Sequence, residues 1–211
     1  MKYYFNQAGR SMIEMLGVLA IVGILSVGGI ASYSKAMSQY RANKLTEEYA
    51  IFIQSMLSFE NIIKRDFKNT TNVVNLASIF AGLGIIPSNW KTENIYIYDN
   101  SGRQIRPFIR PDASQALVID YFFRNSSSKL STKEDKLLCQ TLWLNIVQSF
   151  KDTIYRTFVY KDGGASYDVY WGNNYCTTGK LCLADITLPE IVSSCSSCIE
   201  DSYCVLAIEF K

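Results

Sequence analysis

The sequence predicts an α+β protein: a long N-terminal helical spine, half of membrane grade and half amphipathic, packed on an antiparallel-sheet head. Three observations predict it. Met15–Ser34 is an uncharged apolar run, residues 35–68 keep helical spacing of apolar positions, and β-rich runs then alternate with turn signals. The chain has 211 residues, 48% hydrophobic and 19% charged, with net charge +2. It is too apolar and too weakly charged for disorder, and its length fits one or two domains.

The first element is the run MLGVLAIVGILSVGGIASYS, preceded by Glu14. A helix needs about 20 such residues to cross the hydrocarbon core. A secretory signal peptide has a shorter apolar region, about 7–15 residues, ending at a small-residue cleavage site. This run is longer and flows into a helical pattern, so an uncleaved membrane segment is expected. Lys2 and Arg10 precede it, and Lys35, Arg41 and Lys44 follow. Positive charge therefore does not orient the span. The six cysteines, all at or beyond Cys139, do: they suit an oxidising compartment and put the C-terminal region outside the cytoplasm.

Glu14 is out of place in an apolar segment. A carboxylate costs about 2.5–3.5 kcal/mol at a span's centre and less near an end. Headgroup-level placement is the bland reading; an ionisable residue in a span is otherwise a functional candidate.

Leu45, Tyr49, Phe52, Ile53, Met56, Ile63 and Phe67 continue one apolar face, with Lys44, Glu47, Glu48, Gln54 and Lys64 on much of the rest. A helix from Ser11 to Phe67 would measure roughly 85 Å. Gly17, Gly23, Gly28 and Gly29 suit close helix packing in a membrane, and Gly28-Gly29 is also a place for the helix to loosen.

Asn72–Ala81 reads as a short helix stopped by Gly82, Gly84 and Pro87. Ile95–Tyr98 is a strand, Asp99-Asn100-Ser101-Gly102 a hairpin turn, and Gln104–Ile109 a return strand that Pro107 demotes to an edge or irregular one. Gln115–Phe123 is a stronger strand, followed by a polar loop over Asn125–Ser128. Ser131-Thr132-Lys133-Glu134 is a capping box opening a helix whose buried face carries Cys139, Trp143, Ile146 and Phe150. Thr157–Tyr160 and Tyr167–Trp171 flank Asp162-Gly163-Gly164 as a hairpin, and Val205–Phe210 closes the sheet.

Six cysteines allow fifteen pairings. Cys195-Ser-Ser-Cys198 also has zinc-ligand spacing, with Cys176, Cys182 or Cys204 to complete a site, and a redox-active CxxC is a further reading. Outside the cytoplasm disulfides are preferred. Tyr167, Tyr170, Trp171 and Tyr175 cluster in sequence; alternation across a sheet explains most of them, and a binding patch is the competing reading.

Several chemistries lack their residues. Without histidine there is no Ser-His-Asp or Cys-His set and no histidine metal ligand. Calcium-loop, Walker A and G-x-S-x-G sequences are also absent. The expectation is a protein that is not an enzyme, with no metal or other cofactor, and without nucleic acid as a partner.

Residues 9–16, Gly-Arg-Ser-Met-Ile-Glu-Met-Leu, together with the apolar run, resemble the prepilin cleavage and methylation motif of type IV pilins and type II secretion pseudopilins. The resemblance implies cleavage between Gly9 and Arg10, with Ser11, Met12, Ile13 and Glu14 as the recognition motif. It implies a leader over 1–9, an assembly helix over 10–34, its amphipathic continuation over 35–68 and a stapled head over 69–211. It further implies that Glu14 meets the new amine on Arg10 of a neighbouring subunit. A buried carboxylate is tolerated when paired, so this pair would set the axial register.

The head loosely resembles that of type IVb pilins, with Cys139 and Leu142 on a late helix. By that analogy Cys139 pairs with Cys204. Cys176–Cys182, around a tight loop, and Cys195–Cys198 accompany it. The implied partners are copies of itself and related pilins, a prepilin peptidase, an inner-membrane assembly platform with its ATPase, an outer-membrane secretin, and membrane lipid before assembly. The implied location is the bacterial inner membrane and then an extracellular pilus. A secretion pseudopilin and a membrane-anchored periplasmic domain with an incidental motif are the alternatives.

Overall fold

The computed structural model describes residues 12–68, 70–112, 114–123, 133–161, 168–196 and 204–211. The chain is mixed α+β and divides into two compact units, Met1–Arg41 and Ala42–Lys211. Helix α1 (Met12–Ser58) contributes to both and remains helical through Gly28 and Gly29.

Within the second unit α1 buries Ala42, Leu45, Thr46, Tyr49, Phe52, Ile53 and Met56. Their three- and four-residue spacing makes one stripe. The polar member, Thr46, returns its hydroxyl to the Ala42 carbonyl at 2.7 Å, so no buried donor is left open.

The single helix expected to reach Phe67 is interrupted at Phe59. Ser58 Oγ donates to the Ser55 carbonyl at 2.6 Å, and the Phe59 N–H bonds the Met56 carbonyl at 3.1 Å. A three-residue step and a back-bonding serine tighten the last turn and end the α-ladder. Helix α2 (Glu60–Asp66) restarts at once and buries Ile63.

Nine strands among the described residues form one sheet: β1 (Val74–Asn75), β2 (Lys91–Glu93), β3 (Tyr96–Tyr98), β4 (Gln104–Ile109), β5 (Leu117–Phe122), β6 (Ile154–Lys161), β7 (Tyr170–Trp171), β8 (Leu181–Cys182) and β9 (Cys204–Phe210). Their order is β2-β3-β4-β5-β9-β6-β7-β8, with β1 also pairing β4. Pairing is antiparallel except between β7 and β8, so the sheet is mixed rather than purely antiparallel.

The turn at Asp99 forms as expected. Its Oδ1 accepts the N–H groups of Ser101 at 2.7 Å and Arg103 at 2.9 Å, and Gly102 supplies the positive φ of 76°. The expected helix over Asn72–Ala81 is only half correct. Val74–Asn75 pairs with Phe108–Ile109 as a strand, and helix α3 covers Ala77–Gly82.

Pro107 does not mark an edge. It lies on β4, opposite Ile119 of β5. Its carbonyl accepts the Leu76 N–H at 2.9 Å on the other side, so its missing N–H faces that side too and costs no bond to β5. Val205–Phe210 does not close the sheet either. β9 is internal, paired along its length with β5 and β6.

Helix α4 (Lys133–Leu142) continues into a π-helical turn, Trp143–Val147. Cys139, Trp143 and Ile146 are buried as the periodicity requires. Helix α5 (Leu188–Ser196) covers a serine-rich stretch with no element assigned from sequence. The core lies between α1, α4 and one sheet face, where Ile119, Tyr121, Leu206 and Ile208 meet Tyr49, Phe52 and Trp143. Ser131, Thr132, Tyr167 and the Asp162-Gly163-Gly164 turn lie outside the described residues.

Candidate functional site

The first unit's helical stretch is apolar and exposed. Met12, Leu16, Val18, Ile21, Ile24, Leu25 and Tyr33 are all exposed, and at helical spacing they cover every side of the helix. By length and composition α1 is a helix able to cross a membrane. Burial begins at Ala42, where the one-sided stripe of the second unit starts. Met12 and Ile13 of the sequence motif lie on this helix, and Glu14 is the acidic residue of its first turn. A carboxylate there is favoured by the helix dipole by about 0.3–1 kcal/mol, which is the purely local reason for its presence. Gly9, Arg10 and Ser11 lie outside the described residues.

The cysteine pattern needs correction. Cys139 pairs with Cys195, with Cα atoms 5.8 Å apart, and not with Cys204. The pairing of Cys195 with Cys198 falls with it. The cause is α5, which turns the segment after Pro189 into a helix with Ile191 and Cys195 on its buried face. That face carries Cys195 to Cys139 on α4. A signal for α5 was present: Thr187-Leu188-Pro189-Glu190 is a capping box. The Thr187 N–H and hydroxyl reach Glu190 Oε2 at 2.6 and 2.7 Å. Cys176–Cys182 forms as expected. Cys204 is also disulfide-bonded, its partner lying outside the described residues, as does Cys198. Among the described residues no cluster of ligating side chains could hold a metal ion.

The sheet face away from α1 carries an ionic network that periodicity did not reveal. Glu209 of β9 is fully buried between two guanidinium groups, Arg110 Nη2 at 2.5 Å and Arg156 Nε at 2.6 Å. Asp120 of β5, also buried, accepts the Tyr160 hydroxyl at 2.9 Å. Burial pushes the Asp120 carboxyl up to about 6, against the Tyr160 hydrogen bond and the charges of Arg106 and Arg110, with Glu209 adding to the rise. On the core face, Asp99 Oδ2 accepts the buried Tyr49 hydroxyl at 2.5 Å.

Beyond β6 lies an aromatic corner. Tyr155 meets Trp171 and Tyr175 edge to face, each at 5.1 Å between ring centroids. Lys180 Nζ stands 3.6 Å above the Trp171 ring and donates to the Tyr175 carbonyl at 3.1 Å. Lys211 Nζ lies 5.1 Å over Tyr155. Gly172 permits this corner: a Cβ there would fall 1.7 Å from the Ile154 carbonyl oxygen, so no side chain fits. Of the four clustered aromatics, Tyr170 is buried against Trp143, Trp171 and Tyr175 are half-exposed, and Tyr167 lies outside the described residues.

No protein-family model, curated protein or solved structure matches this chain.

Proposed function

We propose that this chain is a structural subunit of a type IV pilus-type filament, cut after Gly9 by a prepilin peptidase and polymerised through the N-terminal part of α1. One observation carries the reading. The helix is apolar and exposed on every side from Met12 to Tyr33, yet it opens on a carboxylate, Glu14. A plain anchor gains only the small helix-dipole term from that carboxylate, whereas a polymer can use it to fix register.

In a bundle of such helices Glu14 would be withdrawn from water, and an unpaired carboxylate there is costly. The amine freed on Arg10 of a neighbouring subunit relieves the cost only at one axial offset. The pair then sets register, while the apolar faces and the small residues Gly17, Gly23, Gly28 and Gly29 supply close packing. The subunit waits in the inner membrane with its head outside the cytoplasm, and an assembly platform, its ATPase and a secretin move it outward. The disulfides Cys139–Cys195 and Cys176–Cys182 suit that oxidising location. The work is assembly rather than catalysis.

Glu14→Ala tests the reading directly. The variant is expected in the membrane fraction at the normal level but absent from sheared surface filaments. Filaments at normal yield would refute the role of Glu14.

A further inference from the structure

Within the second unit helix α1 has two faces. Leu45, Tyr49, Phe52 and Met56 fill one of them with core. Lys44, Glu47 and Ile51 lie on the opposite face at spacings of three and four residues, and all three are exposed. Ile51 keeps 55% of its surface in solvent, although it belongs to the helix that carries the core. The adjacent Glu48 is engaged, accepting from Trp90 Nε1 at 3.0 Å. Lys44 and Glu47 are not: among the described residues neither forms an ion pair, with the other or with a third group. Their order along the chain accounts for that, because a cation that precedes its carboxylate on a helix is the weaker arrangement.

A cation, a carboxylate and an apolar side chain on one face make a self-complementary surface. A parallel copy advanced along the helix axis offers Lys44 where this copy offers Glu47. Three residues separate the two groups, about 4.5 Å along α1. Pairing of Glu14 with a neighbour's Arg10 needs an advance in the same sense, over four residues or about 6 Å. The flexible lysine stem covers the difference. One advance therefore satisfies both pairs. Copies with no advance would set Lys44 against Lys44 and Glu47 against Glu47, which is repulsive.

We propose that this outward face of α1 is a contact between copies of the chain, in which Lys44 of one subunit pairs with Glu47 of the next and Ile51 adds apolar contact. The contact rests on the filament reading and deepens it. Glu14 sets the advance near the start of α1, and the second pair rejects other advances farther along.

The test is charge exchange between full-length subunits in cells. Lys44→Glu leaves two carboxylates on the face and Glu47→Lys two cations, so each variant alone repels its own copies. Each should lower the yield of sheared surface filaments by about tenfold or more, because the like charges recur at every subunit. Membrane level and disulfide map should match the wild type. Co-expressed, the two variants set cation against carboxylate at every contact and should restore filaments. Rescue between chains cannot come from a contact inside one chain. Normal yield from either single variant would overturn the proposal, and loss with Lys44→Glu alone would point to anionic lipid headgroups as the partner instead. Failure of rescue with both chains present in the membrane would overturn it too. Filaments that survive these variants but not Glu14→Ala defeat this contact alone, whereas a wild type without filaments defeats the filament reading with it.

Discussion

Glu209 and Asp120 sit on the same sheet face, yet their fates under mutation should be opposite. Glu209 satisfies two arginines at once. Glu209→Gln leaves the partly exposed Arg110 and Arg156 without their shared counter-charge; removing one partner of a fully buried pair costs about 3–5 kcal/mol, and solvent at the two arginines reduces that here. Chemical denaturation at neutral pH should show that loss. Asp120 is a carboxylate whose ionised form is penalised by the fold. Because its folded pKa, about 6, exceeds the value of an unfolded aspartate, the folded state holds a proton that the unfolded chain has released. Its contribution is therefore most favourable below pH 4, falls as pH rises through 4 to 6, and stays low above. Asp120→Asn keeps an acceptor for Tyr160 and removes the penalty. At pH 7.5 it should gain up to about 3 kcal/mol, and at pH 4 almost nothing. Equal midpoints for wild type and variant at both pH values would contradict the assigned burial cost.

At the scale of elements, side-chain hydrogen bonds as well as apolar contact join the helix to the sheet, among them Trp90 Nε1 to Glu48 Oε2 at 3.0 Å. Tyr49 of α1 donates to Asp99, whose other oxygen organises the β3–β4 turn. Tyr49→Phe keeps the ring against Trp90 and Tyr121 but removes the donor. A hydrogen bond to a charged group contributes about 1.5–3 kcal/mol, so the unfolding midpoint should fall accordingly, and an unchanged midpoint would remove the bond from the account. The disulfide between α4 and α5 is the second inter-element tie. It joins residues 56 apart, and loop-closure entropy assigns it about 4 kcal/mol. Cys139→Ala with Cys195→Ala should lose most of that, measurable by denaturation under non-reducing conditions.

These elements also separate what was legible from what was not. The stripe Leu45, Tyr49, Phe52, Ile53, Met56 was readable because burial follows the helical period. The Asp99 turn was readable because its side chain and Gly102 act locally. Pro107 misled because its meaning depends on which neighbour lies on its nitrogen side, a tertiary fact. The cysteine pairing misled because α5 was hidden among serines, although Thr187 and Glu190 marked its start. Asp120 and Glu209 gave no local signal at all. Their partners are distant in sequence: Tyr160 for Asp120, and Arg110 and Arg156 for Glu209.

For the molecule as a whole, the two units differ in surface. The second has an ordinary core, with Phe52, Trp143 and Ile208 fully buried. The helical stretch of the first has an apolar surface on every side and needs lipid or other helices to cover it. In the proposed filament those are successive states of one surface: lipid before assembly, neighbouring α1 helices after. The measurement that tests this most directly is the intact mass of the subunit taken from sheared surface filaments. A filament subunit cut after Gly9 would appear as an abundant chain beginning at Arg10, with Cys139–Cys195 and Cys176–Cys182 found by non-reducing peptide mapping. A protein confined to the membrane and still beginning at Met1 would contradict it.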